Sequence, residues 1–90
     1  METITIDGRE YPFRATMGAM VRFRRMSGRE VSELNSSDLS DVVLFMYCCT
    51  LSACKADGVE FNMEFLEFAD KLTPDDMNAF NAQFEAGKKK

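Results

Sequence analysis

Residues 42–54, VVLFMYCCTLSAC, decide the fold, because this stretch carries no charge and is apolar nearly all round when it is drawn as a helix. Such a helix is expected at the centre of a domain, with the other elements packed around it. Ser37 is predicted to cap it and Asp57-Gly58 to end it, which gives a helix over residues 38–56. The uncharged run is shorter than the roughly 20 residues that a membrane span needs, so we expect no membrane segment.

Three cysteines lie within this stretch and raise the question of a metal or redox site. Successive residues of a helix turn by about 100°, so Cys48, Cys49 and Cys54 point in three directions and cannot meet at one ion. The sequence contains no His that could complete a ligand set. We therefore predict buried, reduced thiols with an apolar role, and neither a metal nor a cofactor.

Upstream, residues 3–13, TITIDGREYPF, alternate around Asp7-Gly8, the dipeptide typical of a type I′ turn. This predicts a β-hairpin over residues 2–13 in which Ile6 pairs with Arg9. The apolar residues of the hairpin then share one face that must pack on helices; they are Ile4, Ile6, Tyr11 and Phe13.

Three further helices are predicted from their caps and apolar spacing, over residues 17–27, 63–72 and 74–86. The whole is expected to be an α+β domain, mostly α, with the hairpin and about four helices in residues 1–87 and a basic tail at 88–90. In the first helix, Met17, Met20, Val21 and Phe23 are expected to point inward. Arg22, Arg25 and Arg29 recur at a spacing that predicts a basic stripe on the outside.

Charge is divided unevenly along the chain. Residues 1–29 carry six Arg against three acids, whereas residues 30–87 carry twelve acids against two Lys. The acidic part makes nucleic acid an improbable partner. The absence of His, of a phosphate-binding loop and of a nucleophile elbow predicts that the protein is not an enzyme. The opening residues show no secretion signal, so we expect a cytoplasmic protein.

The order of these parts resembles a known family. ITIDGREYPFRATMGAMVRFRRMSG, then an apolar helix with acidic residues at its start, then LTPDDMNAFNAQF, is similar to the tail assembly chaperones of tailed bacteriophages and prophages. The resemblance implies a non-catalytic protein of the bacterial host cytoplasm. It also implies that the protein binds the tape-measure protein, keeps it soluble and helps tail tube subunits to assemble around it.

An adaptable apolar groove with arginines at its rim is the expected site for such a client, formed by the first and fourth helices. The partner-binding residues predicted on this basis are Met17, Met20, Arg22, Phe23, Arg25, Met26, Arg29, Phe80 and Phe84. Two alternatives stay open, namely a small regulatory or DNA-associated protein that uses the Arg-rich helix, and a ring-forming structural tail component. Any uncovered apolar face of the central helix would be an interface of a homo-oligomer.

Overall fold

In the computed structural model, which describes residues 3–35 and 37–75, the chain opens with an antiparallel hairpin of β1 (Thr3–Ile6) and β2 (Arg9–Pro12). Ile6 lies opposite Arg9 and Ile4 opposite Tyr11, so the predicted register is confirmed. Both turn residues have positive φ, 56° at Asp7 and 79° at Gly8, as a type I′ turn requires. The four apolar residues of the hairpin are all buried, which confirms that they share one core-facing surface.

Helix α1 (Met17–Ser27) begins and ends where the sequence predicts. The Thr16 hydroxyl accepts a hydrogen bond from the Ala19 N–H at 3.1 Å, and Gly28, at φ 80°, donates its N–H to the Arg24 carbonyl at 2.8 Å. The side chains that α1 buries completely are those of Ala19 and Phe23. The expectation that Met17 and Val21 point inward is wrong.

A short 3₁₀ turn (Val31–Glu33) leads to α2 (Leu39–Asp57), the central helix. Asp38 is its N-cap, since the Asp38 carboxylate accepts the Ser40 N–H at 3.0 Å, and the assignment of this role to Ser37 is wrong by one residue. Most of α2 is buried from Asp41 to Cys54, which confirms its central place. Leu39, although it is apolar and lies in the first turn of α2, is 66% exposed.

Helix α3 (Phe65–Asp70) is shorter than the predicted range 63–72. The Tyr47 hydroxyl donates to the Met63 carbonyl at 2.8 Å and holds the preceding segment against α2 in a non-helical path. The Asn62 side-chain amide, which precedes the predicted start of this helix, donates to the Glu60 carboxylate at 2.9 Å. Of the predicted helix 74–86, Pro74 and Asp75 are helical and the rest lies outside the described residues.

The two flanking helices pack on nearly opposite sides of α2. Phe23 of α1 meets Phe45 edge to face at 5.8 Å between ring centroids, whereas Tyr47 contacts Phe65 and Phe68 of α3 at 5.8 and 5.4 Å. Phe45 and Tyr47 are two residues apart and so project about 200° apart around the helix. Within the described residues the result is a mostly helical α+β fold with a hairpin and three α-helices.

Helices α1 and α2 pack closely at Gly18. A Cβ added there would lie 2.6 Å from the Ser52 Oγ, which is itself held at 2.8 Å from the Thr16 Oγ1. Glycine at this position therefore lets the two helices approach each other.

By length and composition, α2 is also the one helix in residues 3–35 and 37–75 that could cross a membrane, with a mean hydropathy of 1.4 over its most apolar window. Of that window, 61% is buried inside the domain, as in the core helix of a globular protein. The apolar character of α2 is accounted for by its packing.

Candidate protein-binding surfaces

The outer face of α1 joins apolar and basic side chains. Met17 is 73% exposed and Val21 is 49% exposed, and the two lie one turn apart. Arg24 and Arg25 are exposed on the same face. We refer to Met17, Val21, Arg24 and Arg25 as the α1 surface.

The two arginines of this surface are held differently. Arg24 pairs with Glu30 at 3.1 Å and donates to the Gly28 carbonyl, so its guanidinium is anchored at the C-terminus of α1. Arg25 forms no ion pair with any described residue. The α1 surface therefore offers, beside two exposed apolar side chains, a positive charge that pairs with no described residue.

Phe23 does not belong to this surface. Its side chain is completely buried between α1 and α2, so its assignment to partner binding is wrong and its role is in the core. Met20 is half-buried and packs against the same core. These two residues lie on the side of α1 that faces α2. The spacing of apolar residues in the sequence does not show which side of α1 faces α2 and which faces solvent.

Met26 and Arg22 lie along another edge of α1, one turn apart and away from Met17. Met26 is half-exposed, yet its sulfur lies 3.8 Å from the buried Cys48 thiol. This edge therefore belongs partly to the packing between α1 and α2, and Met26 does not extend the α1 surface.

Arg29 has a structural role. It follows Gly28 and lies beyond the end of α1, so the prediction of one helical stripe through Arg22, Arg25 and Arg29 is wrong. Two Arg29 nitrogens donate to the two Asp41 oxygens, each at 2.5 Å, and the Asn35 N–H adds a bond at 3.3 Å. The hydrogen bonds from Arg29 hold the pKa of the buried Asp41 carboxyl below its usual range. This pair ties the end of α1 to the first turn of α2.

Phe80 and Phe84, the predicted contribution of a fourth helix, lie outside the described residues. The groove between the first and fourth helices is therefore not described by the structure.

A different apolar surface is present between the start of α2 and α3, and the sequence reasoning missed it. Leu39 and Leu66 are 66% and 71% exposed and border a shallow groove of about 180 Å³. We call it the α2–α3 groove; its residues are Leu39, Ser40, Val43, Phe65, Leu66 and Ala69. Leu39 fits the spacing of the inward-facing residues of α2, and the exposure of Leu66 depends on how α3 docks, so no local signal separates these leucines from the core.

The cysteines are all buried, as predicted, and each is a free thiol. Burial raises the pKa of Cys48 to about 11 and that of Cys49 to about 12, and it also raises the pKa of Cys54. A thiol with such a pKa is a poor nucleophile at neutral pH. In the described part of the chain no three His, Cys, Asp or Glu side chains are placed to hold a metal.

A polar depression of about 290 Å³ lies beside the hairpin, where the Arg9 guanidinium sits over the Tyr11 ring at 5.2 Å. Glu60 and Glu67 border it.

Comparison with known protein families, with curated proteins and with solved structures finds no match to this chain.

Proposed function

We propose that this domain is a non-catalytic protein-binding module that acts as a tail assembly chaperone of a tailed bacteriophage or prophage. In this role it binds the tape-measure protein in the cytoplasm of the bacterial host and assists assembly of the tail tube. The observation that supports the proposal is the α1 surface, where two exposed apolar side chains lie beside Arg25, which forms no ion pair with the described residues. The order of hairpin and helices, on which the resemblance to such chaperones depends, supports it as well.

In this proposal the client is bound by apolar contact together with charge attraction. Met17 has an unbranched, flexible side chain that adapts to different neighbours, and Val21 one turn away widens the apolar contact. A long helical client offers stripes of apolar side chains that such a surface can cover. Arg25 and Arg24 favour clients with acidic residues beside the stripe.

The test is co-expression of the chain with the tape-measure protein encoded in the same genome. We expect the two to copurify and the client to stay soluble. The double variant Met17→Asp/Val21→Asp should lose at least about tenfold in affinity, because it places carboxylates in an apolar contact. Leu66→Asp, an equally polar change at an exposed leucine outside the α1 surface, is the matched control and should bind at least as tightly as the wild type does. Absence of binding by the wild type, or equal binding by the double variant, would contradict the proposal.

The same assay extends to the predicted fourth helix. Phe80→Asp and Phe84→Asp should remove client binding while the circular dichroism spectrum of the domain stays unchanged. Variants that unfold would show that these two residues belong to the core.

A second candidate, a DNA-associated regulatory protein, is favoured by the exposed arginines of α1. It predicts binding to duplex DNA that weakens steeply as salt rises, because each phosphate contact releases counterions. Absence of DNA binding at low salt would end this reading. The excess of acids over lysines in residues 30–87 argues against it.

A further inference from the structure

The α2–α3 groove has an acidic border. Asp38, Glu64 and Asp70 each adjoin a groove residue in the sequence and are exposed. No ion pair joins any of these three to a cation in residues 3–35 and 37–75. Lys71 follows Asp70 in the sequence, but its side chain points to the hairpin. Its amine lies 3.4 Å from the Asp7 carboxylate. The groove therefore combines exposed leucines with carboxylates that form no ion pair with the described residues.

The α1 surface is its complement. It combines Met17 and Val21, which project from one helix, with the positive charge of Arg25. Apolar side chains that project from one helix fit a groove between two others, and opposite charges at the borders align them.

The two surfaces cannot meet within one molecule. α1 packs on α2 through Phe45, whereas α3 packs on it through Tyr47, about 200° further round the helix. The α1 surface and the groove thus face away from each other on nearly opposite sides of the domain.

We propose that the α1 surface of one copy of this chain docks into the α2–α3 groove of a second copy. The contact joins two different patches, so it is heterologous. Each bound pair keeps one free α1 surface and one free groove, and further copies add in the same direction to form a ring or an open helical array. The client proposed above would compete with the neighbouring copy for the α1 surface, but self-association itself does not depend on that client.

Sedimentation velocity of the purified full chain over a range of concentrations tests this contact. We expect the wild type to grow in mass with concentration. Met17→Asp, which damages the α1 surface, and Leu66→Asp, which damages the groove, should each weaken association by at least about tenfold. Thr5→Asp adds the same charge on the exposed face of the hairpin and should associate as the wild type does. All three substituted positions are exposed, so we expect the variants to be folded. Circular dichroism checks that they are.

Mixing the two damaged variants gives the decisive result. Leu66→Asp keeps an intact α1 surface and Met17→Asp keeps an intact groove, so an equimolar mixture should form a 1:1 dimer that does not grow further. A wild type that stays monomeric, a Leu66→Asp variant that associates like the wild type, or a mixture without dimers would each overturn the inference. These outcomes are separate from the client assay, in which Leu66→Asp should bind the tape-measure protein at least as tightly as the wild type, because loss of self-association leaves its α1 surface free.

Discussion

At the scale of single residues, the buried carboxylate of Asp41 is a polar group that we expect to matter for the stability of the domain. Its carboxylate is buried at the start of α2 and is satisfied by Arg29 and by the Asn35 N–H. An ion pair of this kind is sensitive to loss of one partner, since the other is left without its hydrogen bonds.

Acid should therefore destabilise the domain through Asp41. Because the folded-state pKa of Asp41 is below its usual range, its stabilisation is present above about pH 4 and is lost as pH falls through the folded pKa. Asp41→Asn should lower the melting temperature at neutral pH by about 5 °C or more and flatten the acid side of the stability profile. Thermal melts across pH measure both effects.

Asp57→Asn is the control for that experiment. Asp57 pairs with Arg14 at 2.7 Å, but both side chains are substantially exposed, so water screens the pair. Its removal should change the melting temperature less than the removal of Asp41 does. Equal effects of the two substitutions would show that burial of Asp41 is not what matters.

The three thiols should be nearly inert in the folded protein. Burial and raised pKa keep Cys48 and Cys49 protonated at about pH 8, so their reaction with Ellman's reagent should be at least about a hundredfold slower than in the unfolded chain. Cys49→Ala should lower the free energy of unfolding by about 1 kcal/mol through lost packing. Stoichiometric zinc in the purified protein would contradict this account.

At the scale of elements, the approach of α1 to α2 depends on the absence of a side chain at Gly18. Gly18→Ala should destabilise the domain by about 1–2 kcal/mol, although alanine normally favours a helix by about 1 kcal/mol, because the added methyl meets the Ser52 hydroxyl. In a Ser52→Ala background the same change should be neutral or stabilising. Chemical denaturation of the four proteins gives the coupling, and an equal loss in both backgrounds would exclude a direct contact.

The elements that the sequence predicts well are those set by local chemistry. The hairpin register follows from Asp7-Gly8, and the ends of α1 follow from Thr16 and Gly28, each within one turn of the groups that it satisfies. The start of α2 is displaced by one residue because both Ser37 and Asp38 are good caps. The ends of α3 could not be predicted, since the Tyr47 hydroxyl bond that holds Met63 spans 16 residues of sequence.

At the scale of the whole molecule, the sequence indicates which residues of a helix are apolar or basic but not which of them are exposed. Phe23 and Met17 are both apolar residues of α1, yet one is completely buried and the other exposed. The difference arises from the direction in which α1 docks on α2. The α2–α3 groove also arises from the way helices dock, because its lining residues come from both α2 and α3.

The distribution of charge over the whole molecule predicts how self-association responds to salt. The contact joins an arginine-bearing helix to a groove with an acidic border, so salt should screen their attraction. Raising sodium chloride from about 50 mM to about 500 mM should weaken association several-fold in sedimentation experiments. Stronger association at high salt would show that apolar contact alone drives it.

The aromatic packing around Tyr47 gives the domain an intrinsic optical reporter. Tyr11 and Tyr47 are its two tyrosines, the sequence has no tryptophan, and both rings pack on Phe61. Burial raises the pKa of Tyr47, so its phenolate absorbance should develop at higher pH than that of a free tyrosine. Tyr47 also contacts Phe65 in the wall of the α2–α3 groove. A molecule that enters the groove should therefore alter the near-ultraviolet dichroism of the unlabelled protein.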